Sequence, residues 1–148
     1  MNLKKILNKD LITVTLEGDS KKEVIENLLD LLMRGGKITD RDSAVKCILD
    51  RESKMSTGIQ DGIAIPHGKT SAVSEMVACV GVKRDGVDFE SLDGKPSRLF
   101  IMTLSPENRT GPHVQFLAQI SQILKDPAIR EELINADSDE ALLKMITE

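Results

Sequence analysis

The sequence has no Trp, no Tyr and only three Phe in 148 residues. Nucleic-acid bases would find few rings to stack on. Its net charge of −4 is the wrong sign for a protein that binds phosphate backbones through Lys and Arg. No apolar run approaches the ~20 residues that cross a bilayer. The N-terminal stretch MNLKKILNKDLITV lacks the sustained hydrophobic segment and small-residue cleavage site of a signal peptide. There are only two Cys and two His, and Cys47, Cys79, His67 and His113 do not fall at metal-ligand spacing. These shortages exclude a nucleic-acid module, a membrane-inserted protein, a disulfide scaffold and a zinc site. They leave the expectation of a cytoplasmic, reduced protein that uses no metal or cofactor.

What is present is ordinary for a globular chain: 40% hydrophobic and 30% charged residues. The length suits one domain, residues 1–148, with a substantial core. Ile12, Val14 and Leu16 alternate with polar residues, the period of a half-buried strand. Gly18 and Asp19 end it, and Ser20 with Glu23 forms a capping box. Val24, Ile25, Leu28, Leu29, Leu31 and Leu32 then recur at helical spacing up to Gly35-Gly36. Thr39 and Asp42 can cap a second helix carrying Ala44, Val45, Ile48 and Leu49. At its end, Arg51 and Glu52 read as solvated charge, with Arg51 complementing the helix dipole.

Met76–Val82 and Leu99–Leu104 are continuous apolar runs, the pattern of strands covered on both faces. Asp85-Gly86 and Asp93-Gly94 are turn signals between them, with a short strand at Val87 and Phe89. His113 follows Gly111-Pro112 and precedes the apolar stripe Val114, Phe116, Leu117, Ile120 and Leu124. That places it at a helix N-terminus, where free N–H groups favour an anion. Asp126-Pro127 opens a further helix, and Asp137 and Glu140 bracket a last one. The expected fold is α/β, a single domain with a mixed β-sheet flanked by helices on both faces.

The densest local chemistry is Ser56–Thr70, STGIQDGIAIPHGKT. Ile63, Ala64 and Ile65 make a short apolar strand end, and Pro66 holds it extended. His67 follows directly, between glycines that permit close approach. Gly68-Lys69-Thr70 looks like the tail of a phosphate-binding loop. However, five residues separate Gly62 from Gly68 where that motif has four, and they include a proline. A neutral imidazole, with a pKa near ~6.5, is a nucleophile that needs no separate base. A second imidazole and a guanidinium can stabilise a phosphoryl group in transit. His67, His113 and Arg51 supply that set, although sequence alone does not bring them together. Grouped carboxylates for a metal-dependent hydrolase are missing, Asp61 being the only nearby candidate.

The stretch Arg51–Lys69, RESKMSTGIQDGIAIPHGK, resembles the active-site region of enzyme IIA domains of the fructose/mannitol/nitrogen-regulatory (type 2) class of the bacterial phosphoenolpyruvate-dependent phosphotransferase system. The resemblance runs over nearly the whole chain, through Asp93-Gly94, Ser105-Pro106 and His113. It implies that His67 accepts a phosphoryl group from the phosphohistidine of the carrier HPr. The group would pass on to a cysteine, or in some branches a histidine, of an enzyme IIB component. It further implies that His113 holds the phosphoryl group and that Arg51 contributes positive charge. Contact with a membrane permease would be indirect. Gln60-Asp61 stand where the family often has glycine and asparagine, and Val114 where leucine is common. A regulatory role, in which partners are bound according to the state of His67, is the alternative that the nitrogen branch implies. Ile59, Ile63 and Met55 are candidates for an apolar docking rim, and Lys69 for added charge.

Overall fold

The computed structural model describes residues 2–148. In chain order the elements are α1 (Leu3–Ile6), a 3-10 turn (Lys9–Leu11), β1 (Ile12–Thr13), α2 (Lys21–Arg34), α3 (Arg41–Lys54), β2 (Ile63–Ala64), β3 (His67–Lys69), β4 (Val77–Val87), β5 (Ser97–Ser105), α4 (Gly111–Leu124), α5 (Pro127–Ile134) and α6 (Asp139–Thr147). The sheet runs β1-β4-β5-β2, and β3 continues along the same edge of β5. Among the described strands, β4 and β5 pair antiparallel and the other pairs are parallel; an isolated antiparallel bridge joins Gly58 to Ala64. The mixed α/β sheet expected from the two buried runs is therefore the one observed.

Strand alternation divides the core. Phe100, Met102 and Leu104 face α2 and α3, packing with Val24, Leu28 and Ile48. Leu99 and Ile101 face the other way, toward Phe116, Ile120, Leu133 and Leu142 of α4, α5 and α6. Each apolar face of the sheet is thus covered by its own helices, as layered packing requires.

Three local expectations are adjusted. The first strand stops at Thr13, because the Val14 N–H donates to Asp139 Oδ1 (2.9 Å) instead of a neighbouring strand. Leu16 rejoins the sheet through Val82 O, at 2.9 Å. Asp85-Gly86 is not a hairpin turn: β4 runs through it to Val87 with a register shift, and Gly86 takes φ +74°. The glycine supplies a bulge, a conformation that costs an L-residue more. The α3 cap is Asp40, whose carboxylate accepts from Ser43 N, between the two residues the sequence suggested.

The edge formed by β2 and β3 carries the functional stretch. Ile63 and Ala64 pair with Leu99 and Phe100, and His67 pairs with Thr103, so one register continues across the break. The break falls at Pro66, which has no N–H to give a ladder, and an edge is where a sheet tolerates proline. Its carbonyl still accepts from Thr103 N at 3.1 Å. Because side chains alternate, His67 faces the α4 side while Gly68 faces α3. A Cβ on Gly68 would lie 2.6 Å from Cys47 Sγ. Gly68→Ala should therefore lower stability by about 1–3 kcal/mol. Cys47→Ala should recover most of that loss in the double variant, read from urea unfolding. Strictly additive effects would mean that another contact is responsible.

Candidate active site

The geometry around His67 is set by a chain of hydrogen bonds that starts one helix away. Glu52 is 7% exposed. Its carboxylate accepts the Thr57 N–H at 3.0 and 3.2 Å and also the Thr57 hydroxyl. Lys21 Nζ lies 2.7 Å from Glu52 Oε1 and 4.9 Å over the Phe89 ring. A buried carboxylate persists only when paired and hydrogen-bonded, as here. Thr57 O in turn accepts the Ile65 N–H at 3.1 Å. The sequence reading took Glu52 for surface charge. The residue is instead the anchor of the loop that fixes the strand before His67. The signal was a Glu five residues before a Thr-Gly, which becomes legible only once Lys21 is seen beside it.

Ile65 then turns its carbonyl to His67. Nδ1 of the ring lies 2.9 Å from Ile65 O. A carbonyl accepts and cannot donate, so Nδ1 carries the proton and Nε2 keeps its lone pair. The proline makes this contact available. Pro66 O is committed to β5, and the residue before it is held extended. Half-buried, His67 presents one defined nitrogen as a nucleophile.

His113 is brought to it from the far end of the chain. The two ring centroids are 5.3 Å apart with the planes tilted by 34°. His113 lies in the first turn of α4, which among the described helices of eight or more residues is the one without a side-chain cap at its N-terminus. Thr110 makes no cap bond, whereas Ser20, Asp40, Asp126 and Ser138 each cap theirs. Uncapped N–H groups beside two imidazoles form a place for an anion. Thr103 is cross-strand to His67 and Ser105 to Lys69, on the same face.

Arg51 is placed differently. α3 runs antiparallel to the functional strand, since Cys47 Sγ meets Lys69 O (3.1 Å) while Glu52, further along, holds Thr57 under Ile65. Arg51 is one turn from Cys47 on the same helix face. Its guanidinium Nη1 donates to Met55 O at 2.8 Å, closing its own helix end. The two histidines meet directly, whereas the contact Arg51 makes is with the end of its own helix.

The turn before the strand accommodates the unusual Gln60-Asp61. Asp61 and Gly62 both take positive φ (60° and 78°), and Ile63 N donates to Gln60 O at 3.2 Å. That is the pattern of a type I′ turn, in which Asp is tolerated and Gly preferred. Of the rim candidates, Ile63 is core and Ile59 half-buried, whereas Met55 is 64% exposed. Val114, next to His113, is 62% exposed. The exposed apolar side chains of these segments are therefore Met55 and Val114.

Burial holds the His113 pKa below the usual imidazole value, helped by the positive charge that His67 and Lys69 bring near. Its neutral form is thus favoured in the folded state. The unfolded chain takes up this proton at higher pH than the folded one, so stability falls as pH drops below ~6.5 and through the lowered folded value. His113→Gln should flatten that part of the Tm–pH curve between pH 5 and 7.5. A slope identical to wild type would mean that His113 is not the group responsible.

Residues 5–148 match the family described as "Phosphoenolpyruvate-dependent sugar phosphotransferase system, EIIA 2". The chain is 38% identical over 148 residues to a fructose-specific EIIABC component of Bacillus subtilis, covering 100% of this chain and 23% of that protein. It therefore spans about a quarter of that relative's length. It is 36% identical over 139 residues to a fructose-specific EIIA component of Haloferax volcanii, covering 94% of this chain and 90% of the relative. Nitrogen regulatory protein IIA-Ntr of Neisseria meningitidis superposes with a TM-score of 0.90 at 32% identity, over 98% and 99% of the two chains. Among the described residues no helix is long and apolar enough to cross a membrane. Full-length sequence agreement and an equally complete structural match lead to one conclusion: this chain belongs to the EIIA 2 family of the phosphoenolpyruvate-dependent sugar phosphotransferase system.

Proposed function

We infer that this protein is a phosphoryl carrier of the phosphotransferase system, with His67 as the residue that is transiently phosphorylated. The observation that carries the reading is the 2.9 Å contact between His67 Nδ1 and Ile65 O, which leaves Nε2 free. Nε2 attacks the phosphorus of a phosphohistidine on an HPr-type carrier in the cytoplasm. The P–N bond of the donor breaks and its imidazole leaves with the electron pair. His67 keeps its Nδ1 proton throughout, so the step needs no base. In the return half, a nucleophile on an enzyme IIB component, a cysteine thiolate or a histidine, takes the phosphoryl group and His67 is regenerated.

Charge on the three peripheral oxygens is met by groups already near. His113, kept neutral, donates one hydrogen bond, and the uncapped N-terminus of α4 offers backbone N–H groups. Arg51 contributes when its guanidinium leaves Met55 O for the new dianion, which a forked cation matches better than a carbonyl. Met55 and Val114 frame the site as an apolar rim for two successive partners. The fructose-specific names of two relatives favour sugar or sugar-alcohol uptake. The TM-score of 0.90 to a nitrogen regulatory protein supports the second reading, that partners are bound according to the phosphorylation state of His67.

Incubation with phosphoenolpyruvate, enzyme I and HPr should give acid-labile phosphorylation that His67→Ala abolishes; retained label would reject the assignment. His113→Ala should still label but slow onward transfer to enzyme IIB roughly ten- to hundredfold, the rate equivalent of ~1.5–3 kcal/mol for a hydrogen bond to a charged group. An unchanged onward rate would remove His113 from the mechanism. Transfer to no fructose or mannitol IIB component, together with state-dependent capture of other proteins, would select the regulatory reading.

A further inference from the structure

Three buried side-chain atoms near the histidine pair have no protein hydrogen-bond partner: Thr103 Oγ1, Ser105 Oγ and His113 Nδ1. Thr103 is 0% and Ser105 1% exposed. Buried polar atoms are nearly always satisfied, because an unpaired one loses its bonds to water and gains none. Three such atoms lying apart would each need a separate explanation, but these lie together. Leu99, Ile101, Thr103 and Ser105 alternate onto the α4 side of β5. On that face Thr103 sits between His67 on β3 and Ala78 on β4, and Ser105 is beside Lys69. His113 stacks over His67 on the same face, near enough to Lys69 to feel its charge.

Their chemistry is complementary. A hydroxyl both donates and accepts, but the two hydroxyl protons need acceptors; a bare Nδ1 supplies one, whereas an Nδ1–H would add a third proton with no acceptor left for it. The side chains at Ala78, Thr103 and Ser105 are small, and a single enclosed water with three polar partners is a normal way to join such a set.

We propose that Thr103 and Ser105 are positioning residues for phosphoryl transfer, whose hydroxyls, directly or through one enclosed water, hydrogen-bond to His113 Nδ1 and so hold its proton on Nε2, the nitrogen that then donates to the phosphoryl group on His67. The two rings of the site are locked by the same device applied to opposite atoms. His67 donates from Nδ1 to a carbonyl, so its Nε2 is a bare nucleophile. His113 accepts at Nδ1 from a hydroxyl, so its Nε2 is a donor. Without that lock a neutral His113 would spend part of its time with Nε2 bare, facing phosphoryl oxygens with a lone pair. This rests on the phosphocarrier reading for its purpose, but the tautomer is a property of the resting protein.

The test uses the unphosphorylated, 15N-labelled full chain at a pH where His113 is neutral. Long-range 1H–15N spectra of the imidazoles should show His113 as a single tautomer, protonated at Nε2, with Nδ1 shifted by an accepted hydrogen bond. Thr103→Val with Ser105→Ala should remove that shift and populate both tautomers, and should slow onward transfer about five- to tenfold, as for one lost hydrogen bond. Thr103→Ser, which keeps a hydroxyl, should behave as wild type in both readouts. The single variants serve if the double variant does not fold. A His113 protonated at Nδ1, or nitrogen shifts left unchanged by the valine and alanine substitutions, would overturn the proposal. Correct tautomers in a protein that never labels on His67 would instead reject the phosphocarrier reading and leave the lock standing.

Discussion

One hydrogen bond, from the His67 ring to the carbonyl two residues before it, decides what this site can do. It assigns the ring proton without help from any acid or base, and it leaves the outward nitrogen with its electron pair. The bond exists because the Ile65–Pro66 unit is rigid and because the carbonyl points away from the sheet. Proline cannot extend the ladder with an N–H, so the edge strand is interrupted at Ile65 and Pro66 while its register is kept. A flexible residue at position 66 would leave the Ile65 carbonyl free to rotate, and with it the tautomer.

Everything else around the site supports or uses that geometry. Lys21, Glu52 and Thr57 link α2 and α3 to the Ile65 backbone through bonds that are largely sheltered from water. This places the cost of a buried carboxylate in the loop before the functional strand. The division of the sheet into two faces separates roles. Gly68 lets α3 approach from one side, and His67 meets His113 on the other. A carrier that must release what it binds gains from such an arrangement. The ring is fixed, the N–H groups at the start of α4 are uncapped, and the Arg51 guanidinium rests on a backbone carbonyl at the end of α3.

Much of this was legible in the sequence. The capping box at Ser20 and Glu23, the apolar periodicity of α2 and the two continuous runs that became β4 and β5 gave the layers of the fold. The proline-histidine pair pointed to the proposed nucleophile, because few other roles need an imidazole at the stiff end of an apolar run. What was not legible depended on partners distant in the chain. Glu52 looks like any charged residue at a helix end until Lys21 is brought over it. Asp85-Gly86 has the composition of a hairpin turn, yet the strand pairing around it is strong enough to absorb it as a bulge. Thr103 and Ser105 pass for core-compatible residues of a buried strand, and only the absence of protein partners for their hydroxyls sets them apart.

The central claim concerns a single atom, Nε2 of His67, and it can be read without kinetics. Protein labelled with 15N and phosphorylated by phosphoenolpyruvate, enzyme I and HPr should show 31P–15N coupling to Nε2 of His67, with Nδ1 still protonated and hydrogen-bonded. Coupling to Nδ1, which would require the bond to Ile65 to be broken, would contradict the account at its root.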